Sequence, residues 1–261
     1  ELKKLRNAAP GAKVFCRLLT SNGGANWPFM GKFGCSLSMA AKLLINAQEW
    51  GLDPYGVSFH VGSQQTKVEC WESTLNRISP IFIKLRNKGI NLRMLNLGGG
   101  FPIRYREDVP ELSQLASSIK LAMKQNFENQ LPKMFYEPGR FIIGPAGLIR
   151  SEVVLVSKKT NNAKKRWIFL DVGIYGGLAE TMNEAIQYPL ISSKDEFEKG
   201  PVIIAGPSCD GFDVLYRKTP YQLPLALKAG DNIDILCAGA YTASYATADF
   251  NGFLPLKEYY L

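Results

Sequence analysis

The sequence predicts an α/β protein in two parts: repeated β-α units over residues 1–148, then a mostly antiparallel β domain over residues 149–261. Three observations carry this. Apolar strands alternate with longer amphipathic stretches in the first part, which implies parallel strands joined by helical crossovers. Beyond residue 148, β-branched runs separated by turns replace the long helical patterns. The polar residues of the first part that are suited to chemistry fall where strands end, which is where a parallel barrel places its chemistry.

The elements follow in order. AKVFCRLL (12–19) reads as a strand, and Ser38 to Trp50 has helical spacing of Ala, Leu and Ile, with Gly51 as its C-cap. YGVSFHVG (55–62) is a strand and residues 67–88 form a helix. LRMLNL (92–97) is the next strand and runs straight into Gly98-Gly99-Gly100. Residues 111–128 are helical, KMFYEP (133–138) is a strand, and a short helix follows to about Gly147. The second part contains SEVVLVSKKT, KRWIFLDVG, GPVIIAGP and DNIDILCAGAY, with one short helical segment at Glu180–Tyr188.

Composition narrows the class. Lys and Arg outnumber Asp and Glu by 31 to 23, a balance that raises the question of nucleic acid. The basic residues are dispersed, however. Their densest group, Lys158, Lys159, Lys164, Lys165 and Arg166, brackets Asn161-Asn162 as a solvated hairpin tip, so no nucleic-acid partner is expected. No run of about 18 apolar residues occurs, so no membrane span is expected. The opening ELKKLRNAAPGAK lacks an apolar core for a secretory signal and reads as the tail of a helix. Cys16, Cys35, Cys70, Cys209 and Cys237 are odd in number, scattered and without a C-x-x-C. Neither a disulfide framework nor a metal site is expected, and a reducing cytoplasm fits.

Gly98, Gly99 and Gly100 follow a strand, where bare backbone can approach a phosphate and aim N–H groups at it; the same triplet also serves as an inert turn. Glu137-Pro138-Gly139-Arg140 sits at another strand end. Arg140, with the N–H groups of Gly139 and Arg140, offers charge and donors to a phosphate, and Glu137 offers a carboxylate to a protonated ring nitrogen. A structural Glu–Arg pair is the plainer alternative. His60, the one histidine, is either a satisfied core residue or a flat ring that stacks on a cofactor, beside the hydroxyl of Ser63.

GVSFHVGSQ, LNLGGGFP, YEPGRF, GPSCDGFD, GAYT and FNGF occur in the order and approximate spacing of ornithine decarboxylases. The chain resembles these pyridoxal-phosphate (PLP) enzymes of the alanine-racemase-like barrel class, fold type III, over essentially its whole length. GGLAETMNEAIQYP resembles the bacterial ornithine/lysine branch, whereas diaminopimelate decarboxylases carry Cys-Glu in place of Cys209-Asp210. The resemblance implies the C-terminal part of a PLP-binding (β/α)8 barrel followed by the β domain. It implies decarboxylation of ornithine or lysine to a diamine, in polyamine biosynthesis, by a homodimer with shared active sites. His60 would stack on the pyridine ring, Arg17 would lie near its hydroxyl side, and Glu137 would hold its nitrogen. Ser63, Gly98, Gly99, Gly100, Gly139, Arg140 and Tyr241 would form the phosphate site. Cys209 would steer protonation of the substrate carbon after CO2 leaves. Asp210 would bind the distal ammonium in the partner's pocket, which Phe250 lines.

Two departures qualify the pattern. Met182-Asn183-Glu184 stands where the bacterial branch has Met-Asp-Glu, so either Asn183 or Glu184 takes the second substrate position. The lysine that anchors the cofactor belongs in an A-V-K-like strand upstream, and this sequence has no such segment; Lys32, in GKFG, falls in the wrong strand and reads as structural. The chain is therefore expected to pair with an N-terminal segment, since a partial barrel exposes apolar strand edges. The alternative is a non-catalytic family member that binds or regulates a partner.

Overall fold

A computed structural model describes all residues except Asn22, Met30, Asn129 and Leu261. Two compact units result, one of Glu1–Pro102 and Val109–Pro138, the other of Ile103–Asp108 and Gly139–Leu261. Among the described residues no helix is long and apolar enough to cross a membrane.

The first unit runs α1 (Leu2–Ala8), β1 (Lys13–Arg17), β2 (Ala25–Trp27), α2 (Leu37–Glu49), β3 (Asp53–Ser58), β4 (Ser63–Gln65), α3 (Glu69–Arg86), β5 (Met94–Asn96), α4 (Leu112–Phe127) and β6 (Lys133–Phe135). β1, β3, β5 and β6 pair in that order, all in parallel. Helices α2, α3 and α4 form the crossovers, as the alternating pattern requires. β2 and β4 make a separate antiparallel pair. β5 is buried along its whole length, the expected state of an inner parallel strand covered on both faces. Edge strands β1 and β6 leave Phe15, Met134 and Phe135 exposed.

Each crossover helix is fixed by its own sequence. The Ser36 hydroxyl accepts the Met39 N–H and caps α2. α3 buries Trp71, Leu75, Ile78, Phe82 and Leu85, one face of a 3.6-residue period. Pro80 lies inside α3 and has no N–H for the carbonyl of Asn76; the Ser79 hydroxyl donates to that carbonyl instead, at 3.3 Å. α4 opens with a capping box between Glu111 and Gln114 and packs Phe127 edge-on against Phe82 at 5.0 Å.

The second unit contains α5 (Gly139–Ile143), β7 (Ile149–Ser157), β8 (Arg166–Leu170), β9 (Leu190–Ser192), β10 (Lys199–Ala205), β11 (Val214–Pro224) and β12 (Asn232–Ile235). They form one sheet in the order β11-β10-β8-β7-β12-β9. Every pairing is antiparallel except β8 with β10. Alternating residues of these strands, among them Val153, Ile168, Leu170, Val202, Ile204, Leu215, Ile233 and Ile235, build its core. Lys158, Lys159, Lys164 and Lys165 are exposed in the loop between antiparallel β7 and β8. Arg166, expected in the same solvated tip, is instead buried at the start of β8, where its guanidinium donates to the carbonyls of Leu223, Pro224 and Leu225.

The helix expected over Glu180–Tyr188 shrinks to a kinked 3-10 turn at Ala179–Glu184. Asn183 and Glu184 take positive φ values of 56° and 61°, which no continuing helix accommodates. Glu184 is drawn out of helical geometry by β11. Its carboxylate accepts the N–H groups of Arg217, Lys218 and Thr219 at 2.8, 2.7 and 2.6 Å, together with the Thr219 hydroxyl.

Candidate active site

The chemistry-bearing residues of the first unit meet at the C-terminal ends of β3, β5 and β6. Just beyond β5, Gly98 has φ 69° and Gly100 φ 92°. A Cβ on Gly98 would lie 2.3 Å from the Phe59 carbonyl oxygen, and one on Gly99 would lie 2.4 Å from that of Glu137. Both neighbouring strand ends thus press against this backbone, and only glycine fits. Glu137 follows β6; its N–H donates to the Gly98 carbonyl at 2.9 Å. Sequence reasoning passed over Asn96. Its Oδ1 accepts the Gly98 N–H at 2.8 Å, and its Nδ2 donates to Glu137 Oε1 at 2.7 Å. A signal was present, because an Asn side chain bonds its own backbone two residues on, and Asn96 stands two residues before the first glycine of the triplet. Ser63 lies in β4 opposite Trp27, and the Gln65 N–H, two residues on, donates to Gly100.

His60 sits just past β3. The Gly62 N–H donates to its Nδ1 at 3.0 Å, which assigns Nδ1 as the unprotonated nitrogen. Phe29 meets the imidazole edge-on at 4.6 Å, and the Arg17 guanidinium lies over the rings of Phe29 and Phe33. Lys32 lies over Phe33 as well. Burial, then the positive charge of Arg17, push the His60 pKa down to about 4, against a smaller opposing pull from Glu137. The ring is therefore neutral at pH 7. Between the usual value of 6.5 and about 4, an unfolded His60 binds a proton that the folded one refuses. Stability should then fall as pH is lowered through that window. With one histidine in the chain, His60→Gln should remove this component from a Tm-versus-pH profile; identical profiles for both proteins would rule it out.

In the second unit, Arg140 is buried in α5. Its Nη1 donates to the Tyr105 hydroxyl and its Nη2 to Glu180 Oε1, both at 2.7 Å. The side chains of Arg140 and Glu180 are 3% and 1% exposed, so this is a true interior ion pair. Burial pulls the Arg140 pKa down, but the bonds from Glu180 and Tyr105 outweigh it and the guanidinium stays charged. Burial pushes Glu180 above the usual carboxylate range, with Arg140 pulling back, and Tyr105 rises to about 12. The plainer alternative, a structural pair of Arg140 with Glu137, is not what forms: the carboxylate on Arg140 is that of Glu180. Tyr241, with φ 56°, lays its ring beside the Arg140 guanidinium at 4.9 Å.

The GPSCDGFD segment forms a tight loop between β10 and β11. Asp213, which the sequence reading left unassigned, organises it from within. Its carboxylate accepts the Ile174 N–H at 2.8 Å, the Ser208 N–H at 3.1 Å and the Ser208 hydroxyl at 2.7 Å. Gly173 and Gly206 are bare because a Cβ on either would strike these oxygens, at 2.2 and 2.3 Å. Cys209 is exposed, and its N–H donates to Asn251 Oδ1 at 2.9 Å. The Asp210 carboxylate accepts the Tyr175 hydroxyl at 3.1 Å and the Phe212 N–H at 2.8 Å. The Tyr175 ring packs on Phe250 at 4.2 Å. Asp210 and Phe250 thus share one neighbour, Tyr175, which sequence reasoning missed. Asn183 is exposed, while Glu184 is committed to β11. Burial raises the Glu184 pKa, yet the bonds from Thr219, Lys218 and Arg217 hold it below the usual range.

The five cysteines are free. Two of them, Cys16 and Cys35, come within 3.5 Å of each other across 19 positions of sequence. Among the described residues no group of three or more His, Cys, Asp or Glu side chains is arranged to hold a metal ion.

Comparison with known proteins adds an independent line. The profile of the pyridoxal-dependent decarboxylases, pyridoxal binding domain, matches residues 1–144. Lysine/ornithine decarboxylase of Selenomonas ruminantium is 36% identical over 259 residues, covering 97% of this chain and 62% of that protein. Ornithine decarboxylase of Schizosaccharomyces pombe is 29% identical over 272 residues, covering 100% of this chain and 60% of that protein. Among solved structures, lysine/ornithine decarboxylase of Vibrio vulnificus complexed with cadaverine superposes with a TM-score of 0.83 at 32% identity, over 97% of this chain and 65% of that one. The chain spans less than two thirds of the length of these relatives.

Proposed function

The chain belongs to the pyridoxal-dependent decarboxylases, and from that premise we propose that it is part of an enzyme that decarboxylates ornithine or lysine to the corresponding diamine. The observation that carries the reading is the carboxylate of Glu137, hydrogen-bonded by Asn96 at the end of β6 in the same unit as the neutral ring of His60 and the glycine triplet. This donor set fits a pyridine cofactor: a carboxylate for the ring nitrogen, and an uncharged flat ring to lie against its face. When bound, PLP supplies the electron sink for loss of CO2.

The chain's own residues do the rest. Glu137 would hold a proton on the ring nitrogen, and His60 would set the ring's plane without competing for charge. Arg17 would lie toward the ring hydroxyl. Ser63, Gly98, Gly99, Gly100, Gly139, Arg140 and Tyr241 would hold the phosphate. The Cys209 thiol would deliver a proton to the substrate carbon. Asp210, held by Tyr175, would accept the distal ammonium beside Phe250 in the partner's pocket of a homodimer; an unpaired ammonium there is costly. The bonding of Glu184 to β11 supports Asn183 as the second substrate contact, which leaves one carboxylate for that ammonium. The anchoring lysine would come from sequence outside this chain.

The test uses this chain and a longer gene product that carries the upstream strand. Both should bind PLP with a change in its absorbance. The longer protein should release CO2 from ornithine or lysine, and Cys209→Ala should cut that rate by a factor on the order of 100 or more. PLP binding without CO2 release from either amino acid would move the chain to the regulatory reading; no PLP binding by either protein would overturn the proposal.

A further inference from the structure

We infer that Asn96 is the positioning residue for the ring-nitrogen carboxylate, aiming Glu137 from the end of β5. This rests on the reading of Glu137 above. The argument starts from the two ends of one amide. The Gly98 N–H is a donor only, so the Asn96 end facing it at 2.8 Å must be Oδ1. The other end is then Nδ2, which has hydrogens and no lone pair to offer, and it meets Glu137 Oε1 at 2.7 Å. An NH2 group in that place donates to the Glu137 oxygen that faces it and so fixes the direction of the carboxylate head.

The rest of the residue is equally constrained. Asn96 is 8% exposed, so its side chain has little room to turn. Its own carbonyl accepts the Phe59 N–H at 2.9 Å, next to His60. The Glu137 N–H donates to the Gly98 carbonyl at 2.9 Å. One residue therefore ties together the ends of β3, β5 and β6, and with them His60, the glycine triplet and Glu137. An aspartate here would keep the acceptor for Gly98 but lose the donor, placing two carboxylates in contact that cannot both ionise freely.

Asn96→Asp, which is isosteric, makes the test. Tm is measured from pH 5 to pH 8 for the full chain, N96D, E137Q and N96D/E137Q. N96D should lose Tm increasingly as pH rises, and adding Glu137→Gln should abolish that pH dependence. A deficit that ignores pH, or that persists unchanged beside the neutral amide of the double variant, overturns the inference. In parallel, PLP affinity is read by fluorescence. N96D should weaken it at pH 8 by about tenfold or more, with less effect at pH 5.5 and no further loss in the E137Q background. Equal affinity of N96D and the parent at pH 8 overturns the positioning role. A parent chain that binds no PLP overturns the functional reading instead, and the Tm series still decides whether Asn96 controls Glu137.

Discussion

Replacing Glu180 by alanine should destabilise the protein by about 3–5 kcal/mol, the range for removing one partner of a buried ion pair. The cost is not the lost attraction alone. Arg140 Nη2 would lose this acceptor while the guanidinium remains 3% exposed and charged, beside Tyr105 and the Tyr241 ring. Two comparisons with E180A isolate the cause in urea unfolding. Glu180→Gln keeps an acceptor and should cost less than E180A. Arg140→Met with Glu180→Leu removes both charges and should recover much of the loss, because a well-packed apolar pair often matches a buried ionic one. A loss below about 1 kcal/mol for E180A would mean that the pair behaves as a solvated one.

Gly98→Ala is the second large effect expected. The residue has φ 69°, which costs an L-amino acid about 1–2 kcal/mol. Its Cβ would also stand 2.3 Å from the Phe59 carbonyl oxygen and 3.1 Å from the His60 Cα, and overpacking of this kind adds about 1–3 kcal/mol. The matched control is Gly51→Ala, where φ is 76° but nothing lies within 4 Å of the new Cβ. G51A should show the conformational cost alone. If G98A unfolds at the same urea concentration as G51A, the close packing of the three strand ends is not what holds the triplet. If it unfolds earlier, PLP affinity should fall with it, because relief of the clash must move Phe59 and His60.

Much of the architecture was legible in the residues. The β-α alternation located β1, β3, β5 and β6 and the helices between them, because each crossover helix carries its own period and caps. The switch to β-branched runs located the antiparallel sheet. Legibility ended where a residue's partner lay far away in sequence. The Glu180–Tyr188 stretch has helical composition, yet Glu184 found three backbone N–H donors on β11, more than a short surface helix could offer it. Glu137 was the plainer alternative partner for Arg140 because the two are neighbours in the chain; the carboxylate that Arg140 meets lies 40 positions away.

What the sequence by itself determined about this protein is its family, its two-part fold and a set of candidate residues for chemistry, because motifs and hydrophobic periods are local. What only the tertiary structure decided is which of those groups are held and by what. It joined Asn96 to Glu137, Glu180 to Arg140, Tyr175 to Asp210, and Asp213 to the backbone of the Cys209 loop. For Asn96, Arg140, Glu180 and Asp213, which are buried, these bonds answer the need of a polar group removed from water for a partner, and the fold, not the neighbouring residue, supplies it.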